Sequence, residues 1–519
     1  MKHLAKLLVL AAVAVLPALP AWGEPIEVEL LGNGPRYGSP VIAEVDGNTA
    51  NGKEIVVASA NGIISAVSAT GQVLWETTLP IYACTATSNS NKLLSTPAVG
   101  ELNGNGVPYV VVGYGGIAGK ECGGGVVALR GSTGAIAWNF DLKKFAQRNP
   151  IYSVSHSVIS SPALYDFDDD GKLEVTFGAL DRNIYVVSST GRLKGYYQAA
   201  DTVFSSPAIA DADNDGSAEI VIGTDISQNL FLRPPTPNGG YLYALKSSLF
   251  RRGRVIGFRQ TGSAVWRAEF DQVVQASPTI GELIASNPGL EVVTATGCYF
   301  PENSSNKRGR YLKVFSLKNG KLLRKLPLST CSLSEGAIAD VNGDSVNEVI
   351  MPVQALSFYG GTTPGQILAY NAQENRVIWK TSPSVGGNTT ADLALYSGPV
   401  VADLDKNGSL EVIITGSSGF AVLKGTTGRH LSCEERDCFD GRLSFHGLST
   451  IRNAVAVGDL DGNGKLELVA VGTRSRRGLV RIYTDWDTLI SSTPGTGTNP
   501  LPWPMFRGNQ AHTAARLSN

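Results

Sequence analysis

Five short loops carry carboxylates at a spacing that suits a hard divalent cation. The fullest reads Asp166-x-Asp168-x-Asp170-Gly171-x-x-Glu174. Four carboxylates held on one turn repel one another, whereas Ca²⁺ takes six to eight oxygens at about 2.3–2.6 Å. Side chains at loop positions 1, 3, 5 and 9 supply most of such a shell, and the position-7 carbonyl, here that of Lys172, adds another. Gly171 permits the sharp bend. Asp211, Asp213, Asp215 and Glu219 form a second full set, with the carbonyl of Ser217. Asn replaces one acid in Asp403, Asp405, Asn407 and Glu411, joined by the Ser409 carbonyl. It does so again in Asp459, Asp461, Asn463 and Glu467, joined by Lys465. Asp340, Asn342, Asp344 and Glu348 keep their oxygens but have Ser345 in place of the glycine. About five Ca²⁺ sites are therefore expected.

Three loops at the same phase fail the pattern. Glu101, Asn103 and Asn105 lead to Tyr109, Glu282 to Glu291 lacks spaced acids, and Glu44, Asp46 and Asn48 run into an insertion before Glu54. The last acid falls at position 9 and β-type sequence flanks each loop, which excludes a helix-loop-helix calcium hand. An Asx-rich surface turn explains any one loop alone. Five at one phase of a repeat weigh against it.

A repeat must position these loops. Pro40, Pro97, Pro162, Pro207, Pro278, Gly336, Pro399 and Val455 mark eight copies, with steps of 57, 65, 45, 71, 58, 63 and 56 residues. The shortest step shows the bare unit: four apolar runs, SPALYDF, LEVTFGAL, IYVVSS and RLKGYYQ, separated by the acidic loop and two turns. Alternation and β-branched residues mark the runs as strands. Units of four strands at this period predict an all-β fold, a β-propeller of four-stranded antiparallel blades, eight in number with seven as the alternative. The eighth copy lacks a fourth strand, and Ile26 to Leu31 is expected to supply it and close the ring. Longer steps hold insertions: Ile81 to Leu94, Asp141 to Ile159, Asp225 to Gly240, Phe300 to Arg310 and Leu431 to Ser449.

Residues 1–23 resemble a signal peptide: Lys2 and Lys6, then the apolar run Leu7 to Leu19, then Ala21-Trp22-Gly23. The propeller is expected over 24–490. A Pro/Gly linker and tail follow over 491–519, with the aromatics of Trp503-Pro504-Met505-Phe506 packing on the barrel. A secreted, periplasmic or cell-surface location follows, with no membrane span after cleavage. Six Cys, an even number, are then expected to form disulfides; Cys433 and Cys438 share a loop, while Cys298 with Cys331 and Cys84 with Cys122 bracket neighbouring segments. With 59 Gly, 3 Met and a formal net charge of −1, the chain suits short strands and tight turns and has no global field to draw it to nucleic acid.

The DxDxDGxxE loops and the strands around them resemble the FG-GAP repeats of integrin-α-like propellers, also described as VCBS-type repeats of secreted proteins. In that family the loop joins the first two strands of a blade and holds Ca²⁺, which the resemblance implies for the five sets above. Tails such as GIISAVSATGQVLWETTL are also similar to quinoprotein-type blades.

Function must be read from sites rather than fold. A quinone-dependent dehydrogenase would be expected to show adjacent Cys, which are absent. A polysaccharide lyase on a calcium propeller would need a base in an acidic-sugar cleft. His156, His430, His446 and His512 sit in no recognisable constellation. Basic clusters at Arg251 to Arg254, Lys307 to Arg310 and Arg474 to Arg477 fall in expected loops and offer contacts for an anionic glycan. The sequence thus points to a binding or adhesion scaffold for a protein or glycan, with a lyase-like or quinoprotein-like propeller as the alternative.

Overall fold

A computed structural model describes residues 25–80, 93–116, 123–148, 155–212, 215–225, 239–246, 264–297, 310–354, 365–383, 398–416, 419–431, 453–484, 501–509, 512–513 and 515–516. Residues 1–23, the cluster at Arg251 to Arg254 and five of the six Cys lie outside them. Cys331 is buried and disulfide-bonded.

Each repeat folds as one antiparallel sheet. In the shortest, Ala163–Tyr165, Glu174–Gly178, Asn183–Val187 and Leu193–Gln198 pair in sequence order, matching the four apolar runs. Eight such sheets form. We number the blades by their first strands: Val41–Ala43, Ala98–Gly100, Ala163–Tyr165, Ala208–Ala210, Thr279–Gly281, Ala337–Ala339, Val400–Ala402 and Ala456–Gly458. Each first strand touches the next, and the eighth touches the first, so the ring is closed around an axis lined by these strands. The fold is an eight-bladed propeller. In blade eight the fourth strand is Ile26–Glu29, antiparallel to Arg477–Tyr483, as the missing run required. In blade seven, three strands are described, and His430 bridges to Leu423 beyond the third.

The Ser-Ser-Pro-Ala signature has a physical reason. Ser160 Oγ accepts the N–H of Gly178 within its own blade, while Ser161 Oγ accepts the N–H of Thr96 from the blade before. Ser161 N–H in turn donates to Ser206 Oγ. The same link runs from Ala454 to Ser39, Ser39 to Thr96 and Ser206 to Ser277, all at 2.9–3.0 Å. A hydroxyl belt therefore ties blades eight, one, two, three, four and five around the axis, meeting backbone donors that would otherwise be buried unpaired. On the rim, Trp75, Trp138, Trp266 and Trp379 each donate Nε1–H to a carbonyl of the following blade. Gly134, Gly191, Gly320 and Gly428 lie beneath those rings, at positive φ and with no room for a Cβ.

The belt is interrupted at blade six. Glu335 occupies the Ser/Thr position and is fully buried against Arg507 of the C-terminal tail. Arg507 donates its backbone N–H to Glu335 Oε1 at 2.7 Å and Nη1 to Oε2 at 2.9 Å, while Nη1 and Nη2 also reach the carbonyls of Pro278 and Pro207. Gly398, the next blade's counterpart, leaves the space: a Cβ there would lie 2.6 Å from Glu335 Cγ. The tail does more than rest its aromatics on the barrel. Trp503 exchanges backbone hydrogen bonds with Val401, Pro504 O accepts from Val457, Thr513 O accepts from Ile209, and Ala515–Arg516 pairs in parallel with Thr279–Gly281. It thus crosses the axis and bonds to the first strands of blades four, five, seven and eight. His512 is buried there, with Nδ1 at 3.1 Å from the Pro162 carbonyl, and burial beside Arg507 pushes its pKa down to about 3. It is therefore neutral, with the proton on Nδ1.

Candidate functional site: the acidic loops and the axial cavity

Each acidic loop joins the first and second strands of its blade. In seven blades the second strand opens with a buried Glu whose Oε2 accepts the N–H of loop position 2. The pairs are Glu54 with Val45, Glu174 with Phe167, Glu219 with Ala212, Glu291 with Leu283, Glu348 with Val341, Glu411 with Leu404 and Glu467 with Leu460, at 2.7–3.2 Å. The closing Glu is therefore a latch across the loop as well as a potential ligand. Blade two replaces it with Tyr109, whose hydroxyl accepts from Asn103 Nδ2. The acid at position 1 caps the far side: Asp166, Asp211, Asp403 and Asp459 accept the N–H of Gly171, Gly216, Gly408 and Gly464. In blade six Ser345 adopts φ 68° to make the same bond to Asp340, a conformation glycine would reach without strain.

Among the described residues, three carboxylate oxygens converge to within 4.8 Å in four loops: Asp166, Asp168 and Glu174; Asp403, Asp405 and Glu411; Asp459, Asp461 and Glu467; and Glu44, Asp46 and Glu54. The last corrects the sequence reading, which discarded blade one for its insertion. Thr49–Asn51 forms a 3-10 turn that bulges out, leaving Glu54 at the head of its strand and facing Glu44 and Asp46. Blade six has Asn342 at position 3 in place of an acid; Asn342 Nδ2 and Asn371 Nδ2 donate to Glu348 Oε1, and Asn342 Nδ2 also donates to Asp344. Blade four's Asp213 lies outside the described residues. The position-5 residues turn inward on the loop: Asp170, Asp215, Asn407 and Asn463 accept the N–H groups of Lys172, Ser217, Ser409 and Lys465.

The donor sets of blades one, seven and eight fit a hard cation. Burial, reinforced by neighbouring carboxylates, raises Glu54 and Glu467 to about 7 and Glu411 to about 8. Asp459 Oδ1 is buried without a hydrogen-bond partner. Blade three does not fit in the same way, since Lys194 Nζ lies 2.6 Å from both Asp168 Oδ2 and Glu174 Oε1.

Blade five isolates the latch from any cation question. Glu291 accepts from Leu283, Ile284 and Asn287, and burial raises its pKa from 4.5 to about 7. A raised carboxyl pKa means the folded state holds the proton more tightly. The stabilising share is thus full below about pH 4.5 and is lost as pH rises towards 7, up to about 3 kcal/mol in all. Glu291→Gln is expected to flatten the decline in urea midpoint between pH 5 and pH 8, measured in excess Ca²⁺; an unchanged slope refutes this.

Arg474 and Arg477 flank the tight hairpin of blade eight and pair with Glu27 and Glu29 on the N-terminal strand; Lys307 to Gly309 lie outside the described residues, and Arg310 donates to the Ser329 carbonyl. A cavity with an empty volume of about 610 Å³, its mouth included, opens on the axis. Tyr37, Phe204 and Phe506 give it aromatic walls and Ser161, Ser206 and Ser277 of the belt give it hydroxyls. Sequence reading missed it because its residues come from different repeats, two positions apart in the segments that lead into the first strands.

No family model and no curated protein matches the chain. Solved structures do. It is similar to the exotype rhamnogalacturonan lyase YesX (13% identity, covering 95% of this chain and 81% of that one, TM-score 0.53). Sqt1 of Saccharomyces cerevisiae also matches (10% identity, 89% and 99% covered, TM-score 0.53). So does the quinohemoprotein alcohol dehydrogenase ADHIIG of Pseudomonas putida HK5 (11% identity, 92% and 78% covered, TM-score 0.51). Likeness at this identity is one of fold: the chain shares the propeller plan with a lyase, a dehydrogenase and Sqt1.

Proposed function

We propose that this chain is an exported propeller of the FG-GAP type, stabilised by Ca²⁺ in its acidic loops, which serves as a binding scaffold for a protein or glycan. The observation that carries the calcium reading is the convergence of three carboxylates at the same place in blades one, seven and eight, where burial opposes their charge and a hard cation relieves it. The scaffold reading is supported by a rigid ring with an axial cavity of aromatic and hydroxyl residues, the mixture that suits the apolar face and the hydroxyls of a sugar. Export accords with the N-terminal segment, and disulfides with the even Cys count.

Elemental analysis after gel filtration tests the first part, with at least three Ca²⁺ per chain expected. Protein free of metal after purification in millimolar Ca²⁺ overturns it. A glycan array, followed by a screen of acidic polysaccharides for unsaturated product, tests the second. Binding without turnover, weakened by Phe204→Ala, is expected; product formation replaces the scaffold with an enzyme.

A further inference from the structure

Lys194 sits where every comparable blade has an apolar residue. In six blades the pairing of third and fourth strands slips by one position, leaving a bulged residue: Leu74, Ala137, Lys194, Val265, Leu323 and Ile378. One of the six is charged. The residue after the bulge is a rim Trp in four of these blades and Arg324 in a fifth, whereas blade three has Gly195. Blade three has thus exchanged an apolar-Trp pair for Lys-Gly, and the new side chain reaches the loop of its own blade.

The contact is close and sheltered. Nζ bridges the carboxylates of positions 3 and 9, at 2.6 Å from each, with the Lys194 side chain 16% exposed and that of Glu174 1%. Charge-assisted bonds of this length are strong. An ion at about 2.3–2.6 Å from the same two oxygens would coincide with the ammonium. Blade four offers a contrast: Lys246 approaches Asp215 at 3.6 Å with both side chains about 40% exposed, a screened surface pair.

We propose that Lys194 is the resident cation of blade three, so that a loop with a complete acidic motif is locked by an ammonium and takes no Ca²⁺. The contrast with blades one, seven and eight rests on the calcium reading given above. The test is the number of Ca²⁺ bound per chain, counted by equilibrium dialysis, in the full-length protein and in Lys194→Met, Asp168→Asn and the double variant. Lys194→Met, matching the apolar residues of the other bulges, is expected to bind one more ion than the native chain, and Asp168→Asn alone to bind the same number. The extra ion should vanish in the double variant. If Lys194→Met gains nothing while the native chain binds Ca²⁺, the inference fails and the calcium reading stands. Loss of one ion in Asp168→Asn also overturns it, and does so even where Lys194→Met fails to fold. A native chain without Ca²⁺ alongside a Lys194→Met variant with one ion would overturn the calcium reading and keep the inference; no ion in either overturns both.

Discussion

Replacing Arg507 by Met is expected to cost about 3–5 kcal/mol, the range seen when one partner of a buried ion pair is removed. Glu335 is fully buried, and among the described residues the hydrogen bonds to its carboxylate come from Arg507. The backbone bond from Arg507 N–H survives the substitution, but the charge loses its partner. For a chain of this length the unfolding entropy is about 1 kcal/mol per kelvin, so the midpoint should fall by about 3–5 °C. Restoring the residue type of the other blades separates charge from packing. In Glu335→Ser with Arg507→Met neither charge remains, and Ser stands where blades one, three, four and five carry Ser39, Ser161, Ser206 and Ser277. More than half of the loss should return, as a strong positive coupling in a double-mutant cycle. A double variant no more stable than the single one would show that the tail is held by Trp503 and its backbone bonds rather than by the pair.

The repeat was legible because its apolar, β-branched runs recur at a fixed phase, and because each blade is built from strands that follow one another in the chain. Ring closure was legible for a related reason: blade eight lacked a strand, and Ile26 to Leu31 had no other sheet to join. What was hidden falls outside the repeat's own grammar. Glu54 stands ten residues after Glu44, where the regular loops take eight steps, so Thr49–Asn51 disguised a loop that the strand register restores. Lys194 belongs to a strand, and no count along the acidic loop reaches it; only the bulge between the third and fourth strands turns it inward. Glu335 and Arg507 are separated by 172 positions, and each alone reads as a surface charge. The seven latches show why a closing Glu recurs even where, as at Glu291, the loop has no acid at position 3: the loop's backbone requires it. A Glu at that place signals a blade, and the acids at positions 1 and 3 decide whether a cation can follow.

Chelation of Ca²⁺ is expected to lower the melting midpoint by about 4 °C. At a free concentration ten times the dissociation constant each ion adds about 1.4 kcal/mol by mass action, and the three loops that fit a cation among the described residues together supply about 4 kcal/mol. Their placement makes the loss local. Blades seven, eight and one are consecutive across the seam where the N-terminal strand completes blade eight. Their loops also touch: Lys406 Nζ donates to the Gly464 carbonyl, and Lys53 N–H donates to the Leu460 carbonyl. An ion in any one of them therefore stiffens the loop on which its neighbour rests, and the ring is reinforced where its two chain ends meet. Amide hydrogen exchange should rise on chelation in Glu411–Gly416, Glu467–Arg474, Glu54–Ser59 and Ile26–Glu29, while Glu174–Gly178, held by Lys194, and Glu291–Ala295, which has no cation set, keep their protection. Uniform loosening of all eight blades, or exchange that ignores the chelator, would sink the assignment of Ca²⁺ to the seam.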